Sequence, residues 1–123
     1  MRKIETMTAN ELSVCICKMV GPAERLLSDG AVREALDDMR DAIGKEASVE
    51  KAFSAFSTIL YPVLGGEAHK DDTFEVLAAL DGVSADEIAN RNGLEVMRDV
   101  FIAFVVDKDV QTIFRPCMEA RAK

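Results

Sequence analysis

Cys15, Cys17 and Cys117 are the only thiols of the chain and His69 its only imidazole, so a nucleophile, redox couple or soft-metal site would have to be assembled from these four side chains. Cys15 and Cys17 lie two apart on a predicted helix and point to nearly opposite sides. With a single histidine to join them they lack both the ligand count and the spacing of a zinc site. They read instead as small apolar side chains. His69 falls in the polar loop "EAHKDD", without a serine, cysteine or carboxylate at a spacing that would make it a general base. Four carboxylates, Glu34, Asp37, Asp38 and Asp41, repeat along one helix side. Such groups do acid and base work only in a cleft that perturbs their pKa values, and a regular amphipathic helix sets them in solvent instead. No glycine-rich phosphate loop follows a strand pattern. The residues therefore predict a non-enzymatic protein with no cofactor and no metal.

The elements around these residues read as helices. "TANE" at 8–11 is a capping box opening a helix from about Ala9 to Val20, with "GP" at Gly21 and Pro22 as its stop. Its apolar face is Leu12, Cys15, Ile16, Met19 and Val20. "PAERLL" adds another turn or two before "SDG" breaks the chain. The next helix, about Ala31 to Ile43, carries Val32, Ala35, Leu36, Met39 and Ile43 at helical spacing and Gly44 as its C-terminal cap. From the Ser48 cap, "SVEKAFSAFSTILYPVL" repeats Phe53, Phe56, Leu60, Val63 and Leu64 on one side, with Pro62 opposite and "GG" as terminator. A helix from about Asp72 to Leu80 closes at Gly82. "SADE" at 84–87 is a second capping box before a short helix around Ile88, and "NRNG" at 90–93 is a turn.

Composition agrees with this layout. The chain has 123 residues, 49% of them hydrophobic, but one Tyr and no Trp, an aliphatic mixture suited to helix packing. A domain of this size buries roughly two thirds of its unfolded surface, enough to fold without metal or disulfide. The expectation is an all-α, compact single-domain bundle of about six to eight short helices spanning 1–123. Twenty-two acidic against 15 basic residues give a net charge of −7, which argues against nucleic acid as a partner. No run of ~18 apolar residues predicts a membrane span or a secretory signal, so the expected location is cytoplasmic.

The apolar run "VFIAFVV" at 100–106 belongs to the helical pattern "LEVMRDVFIAFVV". At about 100° per residue it presents Leu94, Met97, Val100, Phe101, Phe104 and Val105 on one face and Glu95, Arg98 and Asp99 on the other. Ile102 and Val106 depart from this division. They are four apart, hence neighbours, and project among the charged positions. Burying both would be worth roughly 3 to 6 kcal/mol, so a cover is expected. Either the following segment, capped by Asp107 and bearing Val110, Ile113, Phe114 and Cys117, folds back over them, or a partner or sister subunit does. In the second case Ile102, Val106, Ile113 and Phe114 form the partner-binding surface.

The stretch "FEVLAALDGVSADEIANRNGLEVMRDVFIAFVVDKDVQTIF" at 74–114 resembles the tail assembly chaperones of long-tailed bacteriophages and prophages, particularly those of Gram-positive hosts. The likeness lies in the order of a helix, the "LDGVSADEIANRNG" connection, an amphipathic helix and a short terminal helix "DKDVQTIF". In that family the terminal stretch usually carries acidic residues and then paired aromatics, whereas here Phe114 stands alone. The resemblance implies an acidic helical protein that binds the tape measure protein during tail assembly, yields to the major tail tube protein and is absent from the mature virion. A homo-oligomer, where one forms, is expected to be modest and salt-sensitive, because each copy carries a net charge of −7. A second reading is a small prophage-encoded regulator or adaptor that binds one folded partner through the acidic stripe.

Overall fold

The computed structural model describes residues 1–45 and 48–122. Among the described residues every regular element is helical, as the composition predicts. After a short 3-10 turn at Ile4–Thr6 come α1 (Ala9–Ser28), α2 (Gly30–Ile43), α3 (Val49–Ala55) and α4 (Tyr61–Leu64). They are followed by α5 (Lys70–Asp81), α6 (Ala85–Ala89), α7 (Gly93–Phe101) and α8 (Lys108–Ala122). Two π turns complete the chain, Phe56–Leu60 between α3 and α4 and Ile102–Val106 after α7.

The first capping box forms as expected: Thr8 Oγ1 accepts from the Glu11 N–H at 3.1 Å and Glu11 Oε1 accepts from the Thr8 N–H at 3.0 Å. The predicted stop at Gly21 and Pro22 does not occur. α1 runs unbroken to Ser28 with Pro22 inside it. A proline in a helix interior costs about 3 kcal/mol. Here Cys15, Met19, Pro22, Ala23, Leu26 and Leu27 make one continuous buried stripe. At roughly 1.5–3 kcal/mol for each fully buried large side chain, that stripe outweighs the proline.

Asp29 turns the corner into α2, accepting from the N–H groups of Ala31 at 2.9 Å and Val32 at 3.2 Å. Gly44 ends α2 at φ 71°, a left-handed conformation that suits glycine. Ser48 caps α3 through the Lys51 N–H, as its position predicts. The second capping box is only half made. Ser84 accepts from the Glu87 N–H, while the Glu87 carboxylate is taken by Arg91 at 3.0 Å.

α5 is the innermost helix, with Thr73, Val76, Leu77, Ala78, Ala79 and Leu80 all buried. α1 packs along it and along α8; α2 covers the first π turn, α3 and α4; α6 and α7 close the remaining sides of α5. The buried Thr73 hydroxyl donates to the Leu64 carbonyl at 2.7 Å, tying the end of α4 to the start of α5. At the other end of α5, Arg2 donates to the carbonyls of Leu80 at 2.8 Å and Ala79 at 3.3 Å, filling acceptors that a helix C-terminus leaves open. No helix among the described residues is long and apolar enough to cross a membrane.

Candidate functional site

The apolar run at 100–106 is helical, but its spacing changes part-way. From Gly93 to Phe101 the helix is α; at Ile102 it widens, and the Asp107 N–H closes a π turn onto the Ile102 carbonyl at 2.7 Å. Val96 and Ala103 enter the core, while Leu94, expected inside, is exposed. The Val105 carbonyl takes its hydrogen bond from Gln111 Nε2 at 2.7 Å. Asp107 then caps α8, its Oδ1 accepting from the N–H groups of Asp109 and Val110.

Ile102 and Val106 come out of this turn on the surface, 39% and 50% exposed. α8 does fold back, but onto α1, and leaves the pair open. The four residues predicted to act together are thereby divided. Phe114 is buried, its ring centroid 5.0 Å from that of Phe104, and Ile113 is half-buried against the core. A surface joining Ile102, Val106, Ile113 and Phe114 is therefore corrected to one that keeps only the first two.

Their neighbours come from a different part of the chain. Ile102 and Val106 line an open hollow of about 510 Å³ with Val49, Glu50 and Phe53 of α3 and with Arg98 and Phe101 of α7. Its floor is aromatic: Phe53 meets Phe101 edge to face at 5.0 Å, and Phe101 lies 5.3 Å from Phe56 in the core. Val49 is 73% exposed. On the far side of Ile102 and Val106 an adjoining hollow is lined by Lys3, Glu5, Asp107 and Asp109. The result is an apolar depression between two helices with a charged rim. The periodicity of α3 marked Phe53 as a core residue, and Val49, directly after the Ser48 cap, carried no periodic signal.

The groups that could do chemistry are placed elsewhere. Cys15 and Cys117 are buried, which pushes both thiols above their ordinary range, so they resist forming thiolates; Cys17 is exposed on α1. Glu34, Asp37, Asp38 and Asp41 are all exposed along α2. Among the described residues no three His, Cys, Asp or Glu side chains are grouped to hold a metal ion. His69 is not the plain loop residue its neighbours imply. Its Nε2 lies 3.1 Å from Asp29 Oδ1. The hydrogen bond from His69, with those from the Val32 and Ala31 N–H groups, holds the Asp29 carboxyl below its usual range. This pair pins the α1–α2 corner to the start of α5, beside the Arg25 guanidinium on Asp72 at 2.8 Å.

A second cluster gathers at the end of α5. The Asp81 carboxylate accepts from Arg91 and from the Arg2 N–H. Burial works to raise this carboxyl, but those hydrogen bonds and the surrounding positive charge outweigh it and hold it below its ordinary value. Asp99 shifts the other way, upward, chiefly through burial and in part through the charge of Asp81.

Comparison with known proteins finds no matching family model, no similar curated protein and no similar solved structure.

Proposed function

We propose that the protein is a tail assembly chaperone, a non-catalytic acidic helical protein that binds the tape measure protein of a long phage tail during assembly. The observation that carries this reading is the bare pair Ile102 and Val106 above an apolar hollow in a chain of net charge −7. The resemblance of residues 74–114 supplies the partner. A tape measure protein is a long helical chain whose apolar stripes face water until tube subunits enclose it. Many small acidic subunits, each covering one stretch, would keep such a chain soluble through like-charge repulsion. Sites that are individually weak suffice when many act along one chain, and they let the tube protein displace the chaperone. On this reading the protein works in the cytoplasm of the host and does not enter the mature virion.

The test begins with genetic context: a gene for a very long helical protein should lie beside this one. Co-expression should then keep that protein soluble, in a complex whose mass by light scattering contains several copies of this chain. If the long protein precipitates equally with and without it, the reading fails. The exposure of Glu34, Asp37, Asp38 and Asp41 keeps a second reading in view, an adaptor that binds one folded partner through α2. That protein would give a one-to-one complex, lost when these carboxylates are neutralised and indifferent to Ile102 and Val106.

A further inference from the structure

Building on the reading above, we propose that the hollow between α3 and α7 takes one face of a partner helix whose apolar side chains are flanked by lysine or arginine. The shape points to a helix. Side chains from α3, α7 and the π turn form the walls, and a furrow between helices accepts apolar residues at i, i+3 and i+4 of an incoming helix. Ile102 and Val106 are themselves a ridge with i, i+4 spacing.

The rim sets the sign of the partner's charge. Among the described residues, the hollow around Val49 carries the carboxylate of Glu50 and the guanidinium of Arg98. Around Val106 the described residues are unequal in charge, with Glu5, Asp107 and Asp109 against Lys3. A helix lying across Ile102 and Val106 therefore meets a net negative edge. Basic side chains next to its apolar stripe would be attracted there and acidic ones repelled, so the rim selects among apolar helices that the floor does not distinguish.

A second copy of this chain fits poorly. Each copy would bring its own acidic rim and a net charge of −7 to the contact. The bare apolar residues are few, and a stable dimer buries about 800 Å² on each partner.

The experiment uses the full chain, labelled with ¹⁵N, and two synthetic amphipathic peptides of about 20 residues, long enough to be helical when bound. Both carry leucine at i, i+4, i+7 and i+11 on an alanine-rich helix; one has lysines beside the leucines and the other glutamates. The lysine peptide should shift amide signals around Val49, Ile102 and Val106. At low salt it should bind at least about fivefold more tightly than the glutamate peptide, with the ratio falling as salt is added. Glu5→Lys with Asp109→Lys should abolish or invert the preference. Asp109 lies in the first turn of α8, where a carboxylate favours the helix, so the milder pair Glu5→Gln with Asp109→Asn is measured alongside and should reduce the ratio without unfolding the chain.

Equal binding of the two peptides overturns the proposal, as do shifts confined to another face. It is equally overturned if neither peptide binds and sedimentation shows self-association that Ile102→Ser removes, because the occupant is then a second copy. Selection of the lysine peptide by a protein that ignores the tape measure protein would retire the phage-tail reading and leave this inference standing. Capture of the tape measure protein without peptide discrimination would do the reverse.

Discussion

The two π turns have the same length, yet their ends lie in opposite surroundings. Each begins and ends on a large apolar residue, Phe56 and Leu60 in the first, Ile102 and Val106 in the second. Phe56 and Leu60 are fully buried under α2, whereas Ile102 is 39% and Val106 50% exposed. Side chains serve backbone carbonyls at both turns, but from different places. In the first turn the Ser57 and Thr58 hydroxyls donate to the Ser54 carbonyl at 3.1 and 2.9 Å; in the second, Gln111 serves Val105. The difference lies in what packs on top. The first turn is closed over its apolar ends by a neighbouring helix, whereas the second buries Ala103 and Phe104 and leaves Ile102 and Val106 uncovered. The same i, i+4 apolar spacing is thus buried in one place and exposed in the other, and the packing of neighbouring helices decides which.

The largest effect that would sharpen this contrast is expected in the buried turn. Phe56→Ala removes a fully buried ring in contact with Phe53, Tyr61 and Phe101 and should cost about 3–5 kcal/mol in denaturant unfolding. A loss near 1 kcal/mol would mean that the first turn is not a core element and would break the comparison.

Next in size is the clasp on α5. Gly82 sits at φ 73°, and a Cβ there would lie 2.9 Å from Arg2 Nη2. Gly82→Ala should therefore cost about 1–2 kcal/mol from the left-handed backbone alone, with a further loss as Arg2 is pushed off the Leu80 carbonyl. Thermal unfolding of this variant beside an Arg2→Ala control separates the two contributions.

A pH dependence of smaller size follows from Asp81. Its carboxyl is held below the ordinary value of 3.8, so the stability it supplies is fully present above that pH and is lost as the pH falls through the lower folded value. Asp81→Asn should be less stable at neutral pH and should show a shallower decline with acid. Parallel decline of the two proteins would place the acid sensitivity elsewhere.

Much of the fold was readable from local chemistry. The Thr8 and Glu11 box, the Ser48 and Asp107 caps and the Gly44 and Gly82 terminators depend on residues within a turn of one another, and each stands where spacing placed it. Pro22 defeated the same reasoning because a long buried stripe, visible only once α5 and α8 are packed against α1, overrides one missing hydrogen bond. The face assigned to α7 failed at Leu94, which is exposed, and at Val96, which is buried, because the side of its first turn that is covered depends on how α7 meets α5. The His69–Asp29 pair and the Val49 and Phe53 wall of the hollow join segments far apart in the chain. Half of the candidate surface, Ile102 and Val106, was visible as a misfit in one helix; the other half belongs to α3 and required the fold.

Whether Ile102 and Val106, the exposed edge of the second π turn, are covered by another chain is decided by Ile102→Ser with Val106→Ser, measured for unfolding free energy and for capture of the proposed partner, the tape measure protein. Stability should stay within about 1 kcal/mol of the unmodified protein, as is usual for substitutions at the surface, while capture is lost. A loss of several kcal/mol, the size seen when buried side chains are cut back, would contradict this, and so would full capture by a stable variant.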